Sequence, residues 1–303
     1  MNEFLQQLIN GLALGAIYAL IALGYTMVYG VLRFINFAHG DVFMLGAFAG
    51  YYLSLLVNNF LPANSYVGGA LVLVLAMAVC ALLGIIIEFL AYRPLRSRPK
   101  LTVLITAIGV SLFIEYTCQN SHVFGAAPHK FPDLIPATTW NLGGLVIGMN
   151  QILVLVTTAL LLVALHFIVQ KTRVGTAMRA VSFNENAAAL MGVNINSIIS
   201  FTFGLGSALA GAGGILFAMN YASIDPLMGV QTGLKAFVAA VLGGIGNLQG
   251  AALGGLLLGL LETFAGGIPG VSNYRDGIAF AILILILLFK PAGLLGKATV
   301  EKV

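Results

Sequence analysis

Long apolar stretches separated by short polar ones make up most of the chain. They cover residues 8–31, 42–61, 66–91, 101–119, 151–169, 197–219, 233–244, 251–267 and 277–289. Several approach or exceed the roughly 20 residues that a helix needs to cross a bilayer, and they are continuously apolar instead of alternating. The pattern predicts membrane-spanning helices, with half-helices or extended spans at the two short stretches, 233–244 and 277–289.

Composition agrees with this pattern. Of the 303 residues, 60% are hydrophobic and 8% are charged, whereas soluble domains carry about 25% charged residues. Such a chain lacks the polar groups to cover a soluble fold. We therefore expect an all-α integral membrane protein, a single domain over residues 1–303 with about eight to ten transmembrane helices or half-helices. The first ten residues lack the basic region of a secretory signal, so no cleaved leader is expected.

Basic residues cluster in three places and predict the orientation. They lie in "RPLRSRPK" (residues 93–100), in "KTRVGTAMR" (171–179) and at Lys290, Lys297 and Lys302. Loops rich in Lys and Arg stay on the cytoplasmic side of a membrane. All three clusters should therefore face the cytoplasm, with residues 120–150 and the N-terminus outside. This count of crossings requires both short stretches to cross.

A weak internal repeat is visible. A long helix, a short glycine-broken helix and a glycine-rich helix with a lone glutamate occur twice, ending near Glu88 and Glu262. The two copies have opposite predicted orientation, as in the inverted repeats of transporters. Glu88, Glu115 and Glu262 all lie in apolar stretches. Hydrogen bonding between helices is the favoured role for them, and a proton relay is the alternative.

A polar run, "NFAHGD", interrupts the first apolar region. It contains Asn36, His39, Gly40 and Asp41. In one interpretation it is a turn, in which Gly40 permits a sharp bend and Asp41 caps a helix that begins at Val42. In the other it contacts the substrate, because a helix N-terminus at membrane depth attracts anionic groups. The two roles are compatible.

The 37 glycines favour close helix packing. One ladder stands out, formed by Gly246, Gly250, Gly254, Gly255 and Gly259, and it predicts a face that packs against a neighbouring helix. The two cysteines lie in apolar segments as small hydrophobes, and the four histidines are scattered. No nucleophile and base cluster together, so we expect no enzymatic activity, metal site or cofactor.

The stretch over residues 171–196 is longer and more polar than a connector between two membrane helices needs to be. It contains "NAAALMG", residues 186–192, which predicts a short helix. Such a helix facing the cytoplasm suits docking to a soluble partner. The alternative is a helix that lies on the lipid surface.

"NAAALMG" resembles the EAA loop of bacterial ABC importer permeases, which forms their coupling helix. Ala187, Ala188 and Gly192 match the motif, and Asn186 stands where the family usually has Glu. The strings "NFAHGDVFMLGAF", "LGGIGNLQGAALGGLLLGLLE" and "FKPAGLLG" resemble branched-chain amino acid permeases. Nearly the whole chain resembles the H-type permease subunit of that importer family. The resemblance implies ATPase coupling through Asn186, Ala187, Ala188, Ala189 and Gly192.

The resemblance also implies a multi-pass permease of the bacterial inner membrane that translocates Leu, Ile and Val. Its expected partners are a second homologous permease in a heterodimer, two cytoplasmic ATP-binding subunits, a periplasmic binding protein and membrane lipid, with no nucleic acid. The nearest string to a P-loop has Pro291 and Ala298 at two required positions, so ATP should bind elsewhere. A same-family permease for urea or a sugar, and a proton-coupled transporter using the glutamates, are the alternatives.

Overall fold

The computed structural model describes residues 2–62, 64–96 and 98–296. Lys297, Ala298 and Lys302 lie outside them. The helices are α1 (Asn2–Leu32), α2 (His39–Val57), α3 (Tyr66–Ile87), α4 (Lys100–Gln119), α5 (Met149–Lys171), α6 (Arg173–Phe183), α7 (Glu185–Leu190), α8 (Ile195–Tyr221), α9 (Met228–Gly243), α10 (Leu248–Gly266) and α11 (Arg275–Phe289). A π-helical turn (Glu88–Tyr92) and a 3₁₀ turn (Arg93–Leu95) extend α3, and a second 3₁₀ turn (Ser272–Tyr274) precedes α11.

Short strands complete the described fold. Strand β1 (His129–Lys130) pairs antiparallel with β4 (Ser223–Ile224), which lies beyond α8. Strands β2 (Thr139–Leu142) and β3 (Leu145–Gly148) form an antiparallel hairpin between α4 and α5. The polar segment after α4 is therefore a structured element that reaches across to the end of α8.

Eight helices in the described part of the chain are long and apolar enough to cross a membrane. The short stretch predicted at 277–289 extends back to residue 272, which gives an 18-residue span. The other short stretch becomes α9, whose 16 residues measure about 24 Å against a hydrocarbon core of about 30 Å. The prediction of a polytopic helical membrane protein is confirmed.

The bundle has two chemically different ends. At one end, which we call the hairpin end, Asn2 Nδ2 donates to the Gly143 carbonyl at 3.0 Å and Gln6 Nε2 to the Val146 carbonyl at 2.9 Å. At the opposite, basic end, the Ser182 hydroxyl bonds the Gly30 carbonyl near the last turn of α1. Arg98 and Lys100 line one cavity with Ser182 at this end. The first two predicted cytoplasmic clusters therefore share one end, and the N-terminal end of α1 lies at the other.

Helix pairing agrees with the predicted inverted repeat. Helix α1 packs antiparallel on α10, where a Cβ at Gly15 would lie 2.7 Å from Leu256 Cα. Helix α8 packs antiparallel on α3 in the same manner, with Gly211 facing Cys80. The short helices complete the correspondence, since α2 lies against α8 and α9 lies against α1. Glycine permits each close approach because it brings no side chain between the two backbones.

Four of the five ladder glycines pack as predicted, but on two faces of α10. Gly250 and Gly254 contact α9, whereas Gly255 and Gly259 contact α1. Gly246 is a correction, because it lies in the turn before α10 with φ +93° and meets open space. A backbone of positive φ requires glycine for its conformational freedom, not for packing.

Helix α9 ends against a later part of the chain. The backbone N–H groups of Leu294 and Leu295 donate to the carbonyls of Leu242 and Gly243 at 2.8 and 3.0 Å. Asn247 Nδ2 donates to the Leu295 carbonyl at 2.8 Å. The last carbonyls of a helix otherwise lack partners, so the segment over residues 293–296 closes the basic end of α9.

Candidate functional site

The polar run lies at a break between two helices inside the bundle. Helix α1 ends at Leu32 and α2 begins at His39. The His39 ring packs against Gly24, which lies about two turns before the end of α1. The chain therefore turns back into the bundle before α2 starts, and the first turn of α2 lies at membrane depth.

The first turn of α9 lies at the same membrane depth as the first turn of α2 and packs against it. A Cβ at Gly40 would lie 2.5 Å from the Gly229 carbonyl oxygen, and one at Gly229 would lie 2.6 Å from the Gly40 carbonyl oxygen. Helix α2 runs from this junction to the hairpin end, where Tyr51 contacts His129. Helix α9 runs to the basic end, where Gly246 and Arg179 line one cavity. Two helix N-termini, each with a positive dipole end, thus meet within the membrane region.

Two expectations for the polar run need correction. Asp41 is not the N-cap, because α2 begins at His39 and Ala38 stands at the cap position without a side-chain bond. Asp41 lies in the first turn and its Oδ2 accepts the Ser111 hydroxyl of α4 at 2.5 Å. Gly40 does not form a sharp turn either. It is part of the helix, and its missing side chain lets α9 approach.

The other members of the run have separate partners. Asn36 Oδ1 accepts the Tyr92 hydroxyl at 2.6 Å. The buried His39 ring packs edge-on against Tyr25, with centroids 4.7 Å apart, and its Nε2 has no hydrogen-bond partner among the described residues. The four polar-run residues are therefore gathered at one junction, and four different helical segments hold them there: the π-helical turn, α1, α9 and α4.

Two of the membrane glutamates occupy matching positions in the two repeats. Glu88, at the end of α3, accepts the Ser200 hydroxyl of α8 and forms an ion pair with Arg96. Glu262, in α10, accepts the Tyr18 hydroxyl of α1 at 2.7 Å. Glu88 thus links the end of α3 to α8, and Glu262 links α10 to α1. Both bonds support the favoured role of these glutamates in hydrogen bonding between helices. Burial lowers the pKa of Arg96 below its ordinary value, and the Glu88 carboxylate opposes that shift.

Glu115 differs from both. Its Oε1 lies 3.2 Å from the hydroxyl of Ser111, one turn earlier in the same helix. Ser111 therefore stands between Glu115 and Asp41, and α4 contacts the first turn of α2 through this polar group.

The sequence reasoning missed Lys235. This buried lysine of α9 binds Glu262 at 2.7 Å and Asp276 at 2.7 Å. A lone lysine in an apolar stretch is costly without a partner, and that rule was the available signal. Among the described residues, no group of three His, Cys, Asp or Glu side chains is placed to hold a metal ion.

The polar connector forms two short helices, α6 and α7. Asn184 caps α7 by accepting the Ala187 N–H at 3.0 Å. At the other end Gly192 has φ +84°, and the N–H groups of Gly192 and Val193 donate to the Ala189 and Ala188 carbonyls at 3.0 Å. This left-handed glycine cap ends the helix. A six-residue helix is thus fixed at both termini.

The exposed face of this connector differs from the expected one. Asn186, Ala187, Ala189 and Gly192 are exposed, but Ala188 is only 4% exposed and faces its own chain. The sequence reasoning also missed the large side chains there. Phe183 and Leu190 are each 89% exposed and Met191 is 84% exposed. We call Phe183, Leu190 and Met191 the apolar face.

Comparison with known families decides the identity of the chain. Residues 7–287 match the family model described as the permease component of branched-chain amino acid transport systems. The chain belongs to this permease family. It is therefore a multi-pass transport protein and not an enzyme.

Individual relatives cover almost the whole permease. The high-affinity branched-chain amino acid permease protein BraD of Pseudomonas aeruginosa is 42% identical, over 99% of this chain and 98% of that protein. LivH of Escherichia coli K12, which bears the same description, is 38% identical over 99% and 98%. A ribose import permease, RbsC of Escherichia coli K12, is 26% identical, over 93% of this chain and 84% of the RbsC chain.

Proposed function

We propose that this permease carries branched-chain amino acids, Leu, Ile and Val, through the bacterial inner membrane as one subunit of an ABC importer. A homologous second permease completes the membrane part. Two ATP-binding subunits dock at the basic end, and a periplasmic binding protein delivers substrate at the hairpin end. Identity of 42% and 38% to two branched-chain amino acid permeases supports this cargo.

The apolar face carries the proposal of ATPase docking. Phe183, Leu190 and Met191 project from a connector that is capped at both ends of α7, at the end predicted to be cytoplasmic. Large apolar side chains exposed together mark interaction surfaces, and such residues anchor protein interfaces when they fill a partner's pocket. The small residues Asn186, Ala187, Ala189 and Gly192 flank them and allow close approach.

Charge substitution in the apolar face tests this docking. Leu190→Glu should insert normally, since it alters no membrane span, but lose the ATP-binding subunits on purification and lose leucine uptake. Leu142→Glu is the matched control, because Leu142 is 64% exposed in the hairpin at the opposite end. It should retain both subunits. A Leu190→Glu transporter with its full ATPase complement would contradict the docking and leave the lipid surface as the site of this face.

The junction of α2 and α9 is our candidate for part of the translocation path. Asn36, His39, Gly40 and Asp41 gather there, where two helix N-termini meet at membrane depth. Broken helices of this kind are typical of substrate sites in transporters. The ion pairs of Glu88 and Glu262 favour this route over a proton relay, because both carboxylates already have cationic partners.

A sugar or urea cargo is the alternative within this architecture, and the ribose permease shows similarity over most of the chain. Uptake by the reconstituted transporter with its own binding protein distinguishes the cargoes. Labelled leucine should accumulate and labelled ribose or urea should not.

A further inference from the structure

A polar cavity of about 400 Å³ opens at the hairpin end. It lies between α1, α5, α8 and α10, with the start of α11 at its edge. Three amide side chains, Asn10, Gln151 and Asn220, line it together with Glu262 and Arg275. Its volume falls in the range of about 300–1,000 Å³ that is usual for small-molecule sites.

Opposite charges occupy different depths of this cavity. The Glu262 side chain is 6% exposed, whereas the Arg275 side chain is 59% exposed. Behind Glu262, the Lys235 ammonium bridges Glu262 and Asp276, at 2.7 Å to each, and Arg275 lies 3.8 Å from Asp276. The two cations and two carboxylates sum to zero. The cluster therefore has separated charges without an excess of either sign.

We propose that this cavity binds a free amino acid, with its α-ammonium toward Glu262 and its α-carboxylate toward Arg275. The proposal rests on the proposed function, because it takes the cargo class from it. A zwitterion loses hydration at both charged groups when it is buried, so a suitable site must offer a partner to each. A guanidinium is well shaped for a carboxylate, and a neutral cluster accepts a net-neutral ligand without leaving a charge uncompensated.

Glu262 retains capacity for this ligand. Its Oε2 accepts from Tyr18 and its Oε1 from Lys235. An ionised carboxylate has about four acceptor sites, so each oxygen can accept a further N–H. Leu14 also lines the cavity and offers apolar surface to an aliphatic side chain.

Protection of an introduced cysteine measures such binding even when the affinity is low. Asn220→Cys places a thiol in the cavity wall, and native Cys80 and Cys118 are buried. The complete transporter is reconstituted in lipid nanodiscs without binding protein. The rate of reaction with a small methanethiosulfonate reagent is then measured against increasing L-leucine, leucinamide and 4-methylpentanoate. Leucinamide lacks the carboxylate, and 4-methylpentanoate lacks the ammonium group.

We expect leucine to slow the reaction about tenfold at ten times its Kd, with much weaker protection by either analogue. Arg275→Gln in the same background should abolish the preference for leucine over leucinamide. Lys130→Gln is the matched control, since Lys130 is an exposed cation of the hairpin end outside the cavity lining. It should leave protection unchanged.

Three results would overturn the proposal: an unreactive thiol in the Asn220→Cys variant, equal protection by leucine and both analogues, or an unchanged preference in Arg275→Gln. Leucine uptake by the parental transporter with its binding protein is measured in parallel in closed lipid vesicles, because nanodiscs enclose no volume. Uptake without protection rejects this cavity while the proposed function stands, and absence of uptake with full ATPase assembly rejects the function itself.

Discussion

Gly40 and Gly229 hold the first turns of α2 and α9 in mutual backbone contact. A Cβ atom at Gly40 would lie 2.5 Å from the Gly229 carbonyl oxygen, and a Cβ atom at Gly229 would lie 2.6 Å from the Gly40 carbonyl oxygen. Both distances are too short for a real side chain. The contact joins the two halves of the inverted pairing at their centre. Any side chain there would separate both helix N-termini.

Gly40→Ala should therefore destabilise the permease by roughly 1–3 kcal/mol, as overpacking of tight contacts does. Gly109→Ala is the control, because Gly109 is also helical but has open space around it. Thermal melting of the purified transporter in detergent measures both. Equal melting temperatures for the two variants would contradict the tight junction.

Asp41→Asn should retain nearly parental uptake, because an amide oxygen can still accept the Ser111 hydroxyl. Asp41→Ala removes the acceptor and should cost about 1 kcal/mol or more. If the bond to Ser111 accounts for that loss, Ser111→Ala combined with Asp41→Ala should add little, which a double-mutant cycle reveals. A well-folded Asp41→Asn protein without uptake would instead assign transport to the negative charge.

Lys235→Met should destabilise the permease by roughly 3–5 kcal/mol, since it leaves Glu262 buried without its cation. Lys235→Met combined with Glu262→Gln should recover a large part of that loss, because no buried charge is then left unpaired. Asp276 also loses Lys235, but its side chain is 43% exposed and keeps Arg275 at 3.8 Å. Melting temperatures and membrane abundance give the comparison. A double variant less stable than Lys235→Met would show that the ion pair is not the source of the effect.

Orientation is open to a direct test with two single cysteines. Thr176→Cys in α6 should resist a membrane-impermeant maleimide in cells with a permeabilised outer membrane, because the basic end is predicted to face the cytoplasm. Asn141→Cys in the hairpin should react. Both positions are exposed, so lysis should make both reactive. The reverse labelling pattern would invert the topology.

Gly192→Val should disturb docking of the ATP-binding subunits, because valine is strained at φ +84°. Gly192→Asn is the matched control, since Asn tolerates the left-handed region better than other side chains do. Co-purification should show loss of ATPase subunits with Val and retention with Asn. Retention with both would mean that the orientation of α7 does not control docking.

Sequence patterns predicted the features that depend on the membrane as a solvent. Apolar length located the spans, because each crossing needs a continuous helix. Small residues at intervals of four marked the packing faces of α10, although only the structure separates the α9 contact at Gly254 from the α1 contact at Gly255. The opposite orientations of the two helices that carry Glu88 and Glu262 followed from the count of membrane crossings.

Tertiary contacts explain what the sequence could not show. Asp41 resembles a cap residue, but its partner Ser111 lies on a helix far along the chain. Ala188 lies within the matched motif, yet the turn of α7 directs it inward. Lys235 needed a partner, and several carboxylates along the chain were eligible. In each case the way the helices pack together determines the residue's partner or burial, and a local sequence pattern does not contain that information.

The contact between residues 293–296 and the end of α9 has a consequence for biosynthesis. Those residues leave the ribosome after α10 and α11, whereas the carbonyls of Leu242 and Gly243 that they bind are made earlier. A nascent chain therefore holds α9 with an open end until α10, α11 and the segment over residues 293–296 have been made. Helix α9, at the centre of the permease, is thus completed only after the two helices that follow it, which gives a membrane quality-control protease time to recognise its open end.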